Sequence, residues 1–145
     1  MSIEVKTGTE YSKPLPAPDA TGEVFWKSAA GGELRIQHCA ACDHYQHYPR
    51  ALCTRCGATP EWRTHSGRGE VHTFTVIRQY GAPPFRDELP YVVAMIELEG
   101  TGGLRLMSNV TGCSPDAVAI GMRVEAYVVL AGEDIGIPYF RPRSN

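Results

Sequence analysis

Four of the five cysteines in this 145-residue chain fall in two tight pairs, Cys39-Ala40-Ala41-Cys42 and Cys53-Thr54-Arg55-Cys56, with ten residues between them. Each C-x-x-C loop can fold back and offer two sulfurs to one ion, and two such loops make the closed four-sulfur tetrahedron of a structural zinc site. The residue after the second cysteine of each loop needs a left-handed backbone. Gly57 adopts it freely, and Asp43 is among the non-glycine residues that tolerate it best. With every coordination position filled by protein, the ion holds shape and offers no place for a catalytic water. Iron fits the same sulfurs, and visible charge-transfer absorption would distinguish it from colourless zinc. Arg50, Arg55 and backbone N–H groups beside the loops are the expected partners of the sulfurs. His38, His44 and His47 are expected as surface or hairpin residues, since four thiolates already complete the shell. Cys113 sits in the loop-like Thr111-Gly112-Cys113-Ser114-Pro115 with no basic neighbour to activate it, and is a bystander thiol.

The elements that must hold these residues are short. The chain is 43% hydrophobic and 21% charged, with fifteen glycines and eleven prolines, a composition for many turns and little long helix. A formal net charge of −2 removes the bulk attraction that carries small basic domains onto nucleic acid. No apolar run approaches the ~20 residues of a membrane span. The opening Met1-Ser2-Ile3-Glu4-Val5-Lys6 lacks a signal-peptide core, so a cytoplasmic protein is expected.

Residues 1–20, with Pro14, Pro16 and Pro18, show no period and are expected as an extended or disordered arm, ordered only against a partner. Residues 21–32 are expected as a short helix capped by Thr21 and ended by Gly31-Gly32. Such a helix is unstable alone, so Phe25 and Trp26 need an apolar surface on this chain or on another. Residues 33–65 form the zinc ribbon, where few side chains can make a core and the metal must substitute for burial. Residues 66–145 change character. Val92, Ala94, Ile96 and Leu98 alternate with polar or outward residues. So do Leu104, Leu106, Ser108 and Val110, and then Met122, Val124, Ala126, Val128 and Leu130. A fourth run, 71–80, is mixed. Gly100-Thr101-Gly102-Gly103 supplies a hairpin turn. Strands with one apolar face must close to bury it, and a five-stranded OB barrel does this at the least length. The predicted fold is mainly β: an N-terminal helix, a zinc ribbon, then the barrel.

The order of these motifs resembles one family. It runs from Phe25-Trp26 through Gly32-Glu33-Leu34, the first cysteine pair and Tyr48-Pro49-Arg50 to the second pair with Gly57. It continues with Ser66-Gly67-Arg68-Gly69, Pro90-Tyr91-Val92-Val93-Ala94, Ile120-Gly121-Met122-Arg123-Val124 and Phe140-Arg141-Pro142. Over roughly residues 22–142 the chain is similar to OB-fold acyl-CoA-associated proteins that carry an N-terminal rubredoxin-like zinc ribbon. The resemblance implies a non-catalytic accessory subunit that binds one structural Zn2+ and pairs with a thiolase-like large subunit, a lipid-transfer-type aldolase, an enoyl-CoA hydratase or a related acyltransferase. By family analogy the assembly is two-plus-two and the substrate a coenzyme A thioester. The small subunit of a benzoylsuccinyl-CoA thiolase, in the benzylsuccinate route of toluene breakdown, is of this kind.

The residues themselves also place the chemistry elsewhere. Thioester cleavage needs a nucleophile, a base and an oxyanion hole in one site, and the metal claims four of the five cysteines. Gly100 to Gly103 lies between strands, not before a helix, and is no phosphate loop. Ser66 begins a turn. Any contact with the CoA phosphates should use arginine, and the candidates are Arg68, Arg78, Arg86 and Arg105. The loop from Tyr80 to Pro90 is long for a hairpin. Its Pro83, Pro84 and Phe85 join Phe25 and Trp26 as candidate partner contacts, docking on the partner or lining the acyl-CoA entrance. Two other functions stay open. A single-stranded nucleic-acid module would stack bases on Phe74 and Tyr80 beside Arg78, and a redox ribbon would require iron.

Overall fold

In the computed structural model, which describes residues 2–8, 10–79 and 81–144, the N-terminal segment lies against its own chain. Strand β1 (Val5–Lys6) pairs in parallel with a later barrel strand. Ile3 is buried, and its N–H donates to the Gly32 carbonyl at 2.7 Å. The expected arm is therefore extended, but over residues 3–6 it orders on this chain's own barrel rather than on a partner.

Helix α1 spans Ala20–Ala30. Asp19, not Thr21, is its cap: the Asp19 carboxylate accepts the Gly22 N–H at 2.7 Å. An Asx cap just ahead of the first turn satisfies a free N–H that Thr21, already inside the helix, cannot reach. The Gly31 and Gly32 N–H groups close the other end on carbonyls of the last turn.

A three-stranded sheet follows, with β2 (Leu34–Cys39) central between β3 (His44–Gln46) and β4 (Glu61–His65). The barrel strands are β5 (Arg68–Ile77), β6 (Tyr91–Leu98), β7 (Arg105–Val110), β8 (Arg123–Gly132) and β9 (Ile135–Pro142). Their hydrogen-bonded order β8-β5-β6-β7-β9 closes because β9 also pairs with β8, while β7 and β9 run parallel. This is a five-stranded OB barrel, with β1 added beside β8. Val92, Ala94, Ile96 and Leu98 all point inward and are buried, as are Leu106, Val110, Val124, Ala126 and Val128. The β6–β7 turn carries left-handed Gly100, Gly102 and Gly103. Thr101 ties it, its hydroxyl donating to the Leu98 carbonyl at 2.7 Å and accepting the Leu104 N–H at 3.0 Å.

Ribbon and barrel share one core. Leu34 and Ile36 from β2 pack with Phe25 and Ala29 from α1 and with Phe140, Val128 and Ile96 from the barrel. The ribbon thus has more apolar anchorage than its composition suggests. His65 joins the two bodies at their covalent link, with Nε2–H facing the Glu99 carbonyl at 2.6 Å and Nδ1 accepting the Gly67 N–H at 2.9 Å. Those two partners together specify the neutral Nε2–H tautomer. Among the described residues no helix is long and apolar enough to cross a membrane.

Candidate metal centre

The last residue of β2 is Cys39, and the chain must reverse within four residues to start β3. The Asp43 N–H donates to the Cys39 carbonyl at 2.7 Å with Asp43 left-handed at φ 56°. The second loop repeats the geometry: the Gly57 N–H donates to the Cys53 carbonyl at 2.9 Å, with φ 80°. These matching turns bring Cys39, Cys42, Cys53 and Cys56 together with all four sulfurs within 4.8 Å of one another. Cys39 and Cys56 are 3.5 Å apart, and Cys42 and Cys53 are 3.6 Å apart. Four sulfurs bound to one zinc at ordinary lengths lie about 3.8 Å from each other. The donor set therefore fits one structural zinc, which would brace the two loops.

The electrostatics of the site come from the backbone. Burial pushes the Cys53 thiol up, but the backbone N–H groups of Cys56 and Arg55, with the sulfurs of Cys42 and Cys39, bring it down to about 6. The Arg55 N–H lies 3.4 Å from Cys53 Sγ. Arg50 has another role, its N–H donating to Gln37 Oε1 at 2.9 Å and its carbonyl accepting from Gln37 Nε2 at 2.8 Å.

Two buried amides, absent from the sequence reading, tie the second loop to the β2–β3 hairpin. Gln46 Nε2 donates to Gln37 Oε1 at 2.8 Å, and Gln46 Oε1 accepts the Thr54 N–H at 2.9 Å. A pair of glutamines has no motif to betray it. Only their positions inside a hairpin of the ribbon could have singled them out.

His38 lies in the β2–β3 hairpin, as expected, opposite Tyr45. It is only 2% exposed, because β2 is the central strand and both its faces are covered. Its Nε2 lies 2.7 Å from Asp43 Oδ1 and its Nδ1 3.0 Å from Glu61 Oε1. Hydrogen bonds from His38 hold the Asp43 and Glu61 carboxyls below their usual range. Asp43 thus shapes the knuckle through its backbone and anchors a buried ring through its side chain. His47 is half-buried with its ring 4.8 Å from Phe25, while His44 Nε2 lies 3.4 Å from Thr54 Oγ1.

Burial pushes the His47 pKa down from 6.5 to about 4. The unfolded chain therefore binds this proton more readily, and stability present above pH 6.5 is lost as pH falls toward 4. The expected loss is about 2 kcal/mol by pH 5 relative to pH 7.5. His47→Gln should lack this component. Urea unfolding of both proteins at the two pH values measures it, since acid release of the metal is common to both. An unchanged difference between the two proteins would contradict the prediction.

The four candidate CoA arginines do not converge. Arg68 lies beside Arg123 and Arg143 at one end of the barrel, around an open depression shared with Glu99 and Glu125. Arg78 lies 3.8 Å from Asp116, and Arg105 is 3.9 Å from Glu97 on the neighbouring strand. Arg86 donates to the Gly81 carbonyl within its own loop.

The candidate partner contacts also divide. Phe25 is 2% exposed and belongs to this chain's own core, because α1 lies across the barrel with that face inward. It is not available to a partner. Trp26 is half-buried, and its Nε1–H donates to the Tyr48 hydroxyl at 2.9 Å. Pro83, Pro84 and Phe85 lie in a single-turn helix α2 (Pro83–Arg86). Phe85 does not project from the tip, but turns back on Tyr91 with ring centroids 6.1 Å apart. Lys13 closes this loop from the N-terminal side, 2.6 Å from Glu88 Oε2 and 3.2 Å from the Tyr139 hydroxyl. Pro83 remains exposed. Cys113 is half-buried against the core. For the nucleic-acid reading, Phe74 also packs against the core, which removes it as an open stacking platform, and Tyr80 lies outside the described residues.

A rubredoxin-like ribbon whose four cysteines can close on one ion, continuous with an OB barrel, defines a two-part ribbon-and-barrel class. Family models agree: "ChsH2, rubredoxin-like zinc ribbon domain" matches residues 26–62, and "ChsH2, C-terminal OB-fold domain" matches 62–129. The chain is 36% identical over 115 residues to a "DUF35 domain-containing scaffold protein" of Methanothermobacter thermautotrophicus, spanning 73% of this chain and 84% of that protein. It belongs to the DUF35 family. The structure titled "Ltp2-ChsH2(DUF35) aldolase" contains a similar chain, with TM-score 0.77 and 36% identity over 88% of this chain and 98% of that one. A "Probable enoyl-CoA hydratase alpha subunit" of Thermomonospora curvata is 37% identical over 132 residues. This covers 90% of this chain but 40% of that longer protein.

Proposed function

We propose that this chain is a non-catalytic accessory subunit of a thiolase-type complex, or of an aldolase or other acyltransferase complex, acting on acyl-CoA thioesters. It scaffolds a larger subunit and helps to shape the channel for the CoA substrate. The observation that carries this reading is the similarity to a named scaffold protein over 73% of this chain and to a chain of an aldolase structure over 88% of it. A four-sulfur site has no vacant position for a substrate oxygen, which suits an ion used for rigidity rather than for chemistry. The partner is a thiolase-like large subunit in a two-plus-two assembly in the cytoplasm, and degradation of aromatic compounds is the setting. Of the four arginines, Arg68 is the one we assign to the CoA phosphates, because Arg123 and Arg143 stand beside it. The exposed Pro83 and the adjoining Pro84-Phe85 turn are assigned to the partner surface.

The test is reconstitution. The chain and a thiolase-like large subunit are purified apart, mixed at equal concentration, and assayed for co-elution and thioester turnover. The expected result is a stable complex, turnover by the complex, and none by this chain alone. Turnover by the isolated chain, or full activity of the large subunit without it, overturns the reading.

A further inference from the structure

Phe85, Glu88 and Leu89, in the loop from Gly81 to Pro90, donate their backbone N–H groups to carbonyls of the same loop at 3.1, 3.1 and 3.4 Å. The Arg86 guanidinium likewise turns back on Gly81. Bonds of this kind give the loop a shape without fixing where it lies. A long loop with a single helical turn has little of its own to keep it against a barrel.

Lys13, on the N-terminal arm, ties it down. The ammonium lies 2.6 Å from Glu88 Oε2 on the loop and donates to the Tyr139 hydroxyl on β9 at 3.2 Å. It also stands 5.7 Å from the centre of the Phe85 ring, 5.4 Å from that of Tyr139 and 5.8 Å from that of Tyr11. Arm, loop and barrel thus converge on one cation, and the ring faces replace part of the water it loses. Exposed ion pairs contribute little, but the Lys13 side chain is only 15% exposed. Burial pulls its pKa down, yet the hydrogen bonds to Glu88 and Tyr139 outweigh burial and keep the ammonium charged. The space left between arm, loop and barrel is about 40 Å3, room for a water and no organic ligand. Nearer its start the arm is itself anchored. Glu4 pairs with Arg141 at 3.0 Å, and the Lys6 ammonium sits 4.6 Å over the Tyr127 ring.

We infer that the N-terminal arm is a strap, and that Lys13 is the latch by which it holds the 81–90 loop folded back on the barrel. The strap precedes everything that the two domain models match, which start at residues 26 and 62. Because one side chain joins arm and loop, whatever lifts the arm frees the loop. A partner that binds the loop only in its released form loosens the arm by the same factor. The Pro83–Phe85 turn assigned above to the partner surface sits on this loop, so the latch sets the shape of that surface. The latch itself rests on contacts within this chain, not on the accessory-subunit reading.

The test is amide hydrogen exchange on the whole chain, followed residue by residue by NMR. It compares the wild type, Lys13→Met, Glu88→Ala, the double variant and, as control, Lys27→Met at an exposed helix lysine. Lys13→Met keeps an apolar stem and removes the charge. Zinc content and circular dichroism establish that each variant is folded. In both single latch variants the Phe85, Glu88 and Leu89 amides should exchange at least about tenfold faster than in the wild type, the effect of losing a hydrogen bond between charged groups. The double variant should exchange no faster than Lys13→Met, because either change already opens the latch. Lys27→Met should match the wild type. At the arm's anchored end, the Ile3 N–H bonded to the Gly32 carbonyl and the Val128 N–H bonded to the Glu4 carbonyl should stay protected in every variant. Unchanged loop exchange in Lys13→Met overturns the inference, as does a wild-type loop that already exchanges at the rate of an open chain. Equal acceleration across the barrel would make Lys13 a general stabiliser and not a latch. Additive effects of the two changes would mean that Lys13 and Glu88 act separately. Either result also overturns it.

Discussion

Cys39→Ser should give a protein that no longer holds stoichiometric zinc and whose ribbon, residues 33–65, is cut rapidly by protease. Metal binding to a four-cysteine ribbon contributes on the order of 10 kcal/mol to its folding, comparable with the whole stability of an ordinary domain. The damage should not stop at the knuckles. Cys39 ends β2, and the same strand carries Leu34 and Ile36 into the common core and His38 into its carboxylate pair. The barrel strands should persist, since their pairing closes without β2, but with a lower thermal midpoint. Zinc analysis, limited proteolysis and thermal unfolding followed by circular dichroism measure the three effects. Treatment of the wild type with a strong chelator should reproduce them. A Cys39→Ser protein that keeps its zinc and its protease resistance would show that the four sulfurs do not act as one site.

Gly136→Ala should be the most costly one-carbon change in the barrel. A Cβ built there lies 2.5 Å from the Ala30 backbone nitrogen, 2.6 Å from the Ala29 carbonyl carbon and 2.7 Å from a Val128 methyl. Two of the three obstacles are backbone atoms of α1 and cannot turn aside. The helix must therefore lift off β9, withdrawing Phe25 and Ala29 from the core. The expected cost is about 2–4 kcal/mol, a fall of roughly 5–15 °C in Tm. Gly132→Ala, at a position where a Cβ meets nothing within 4 Å, should be close to neutral and serves as the control. Equal Tm values for the two variants would mean that α1 does not rest on β9.

The metal site was legible because coordination imposes spacing on the sequence: two C-x-x-C loops and a left-handed residue after each leave little freedom. The three alternating strands were legible for a similar reason, since a closed barrel forces period two on whatever faces inward. Strand β9 escaped because the inward positions beside Phe140 are Gly136 and Pro138, residues that ordinarily mark a turn. At Gly136 the missing side chain is what lets the helix approach. Strand β1 escaped because two residues carry no period. That His38 belongs to a hairpin was legible, but its burial was not, because the sequence does not show which strand is central and a central strand buries whatever it carries. The arginines were the least legible. A charge on a strand shows its face but not its neighbours, so the company of Arg68, Arg123 and Arg143 emerges only when three strand ends meet.

Leu34 and Ile36 bear on any attempt to graft this ribbon elsewhere. Cut away from α1 and the barrel, the knuckles would keep their sulfurs but present two bare aliphatic side chains to water, an invitation to aggregate. An engineer wanting a free-standing zinc cassette would first have to repaint that face with polar residues. The converse transplant is easier, because the natural unit for exchange between proteins is helix, ribbon and barrel moved together.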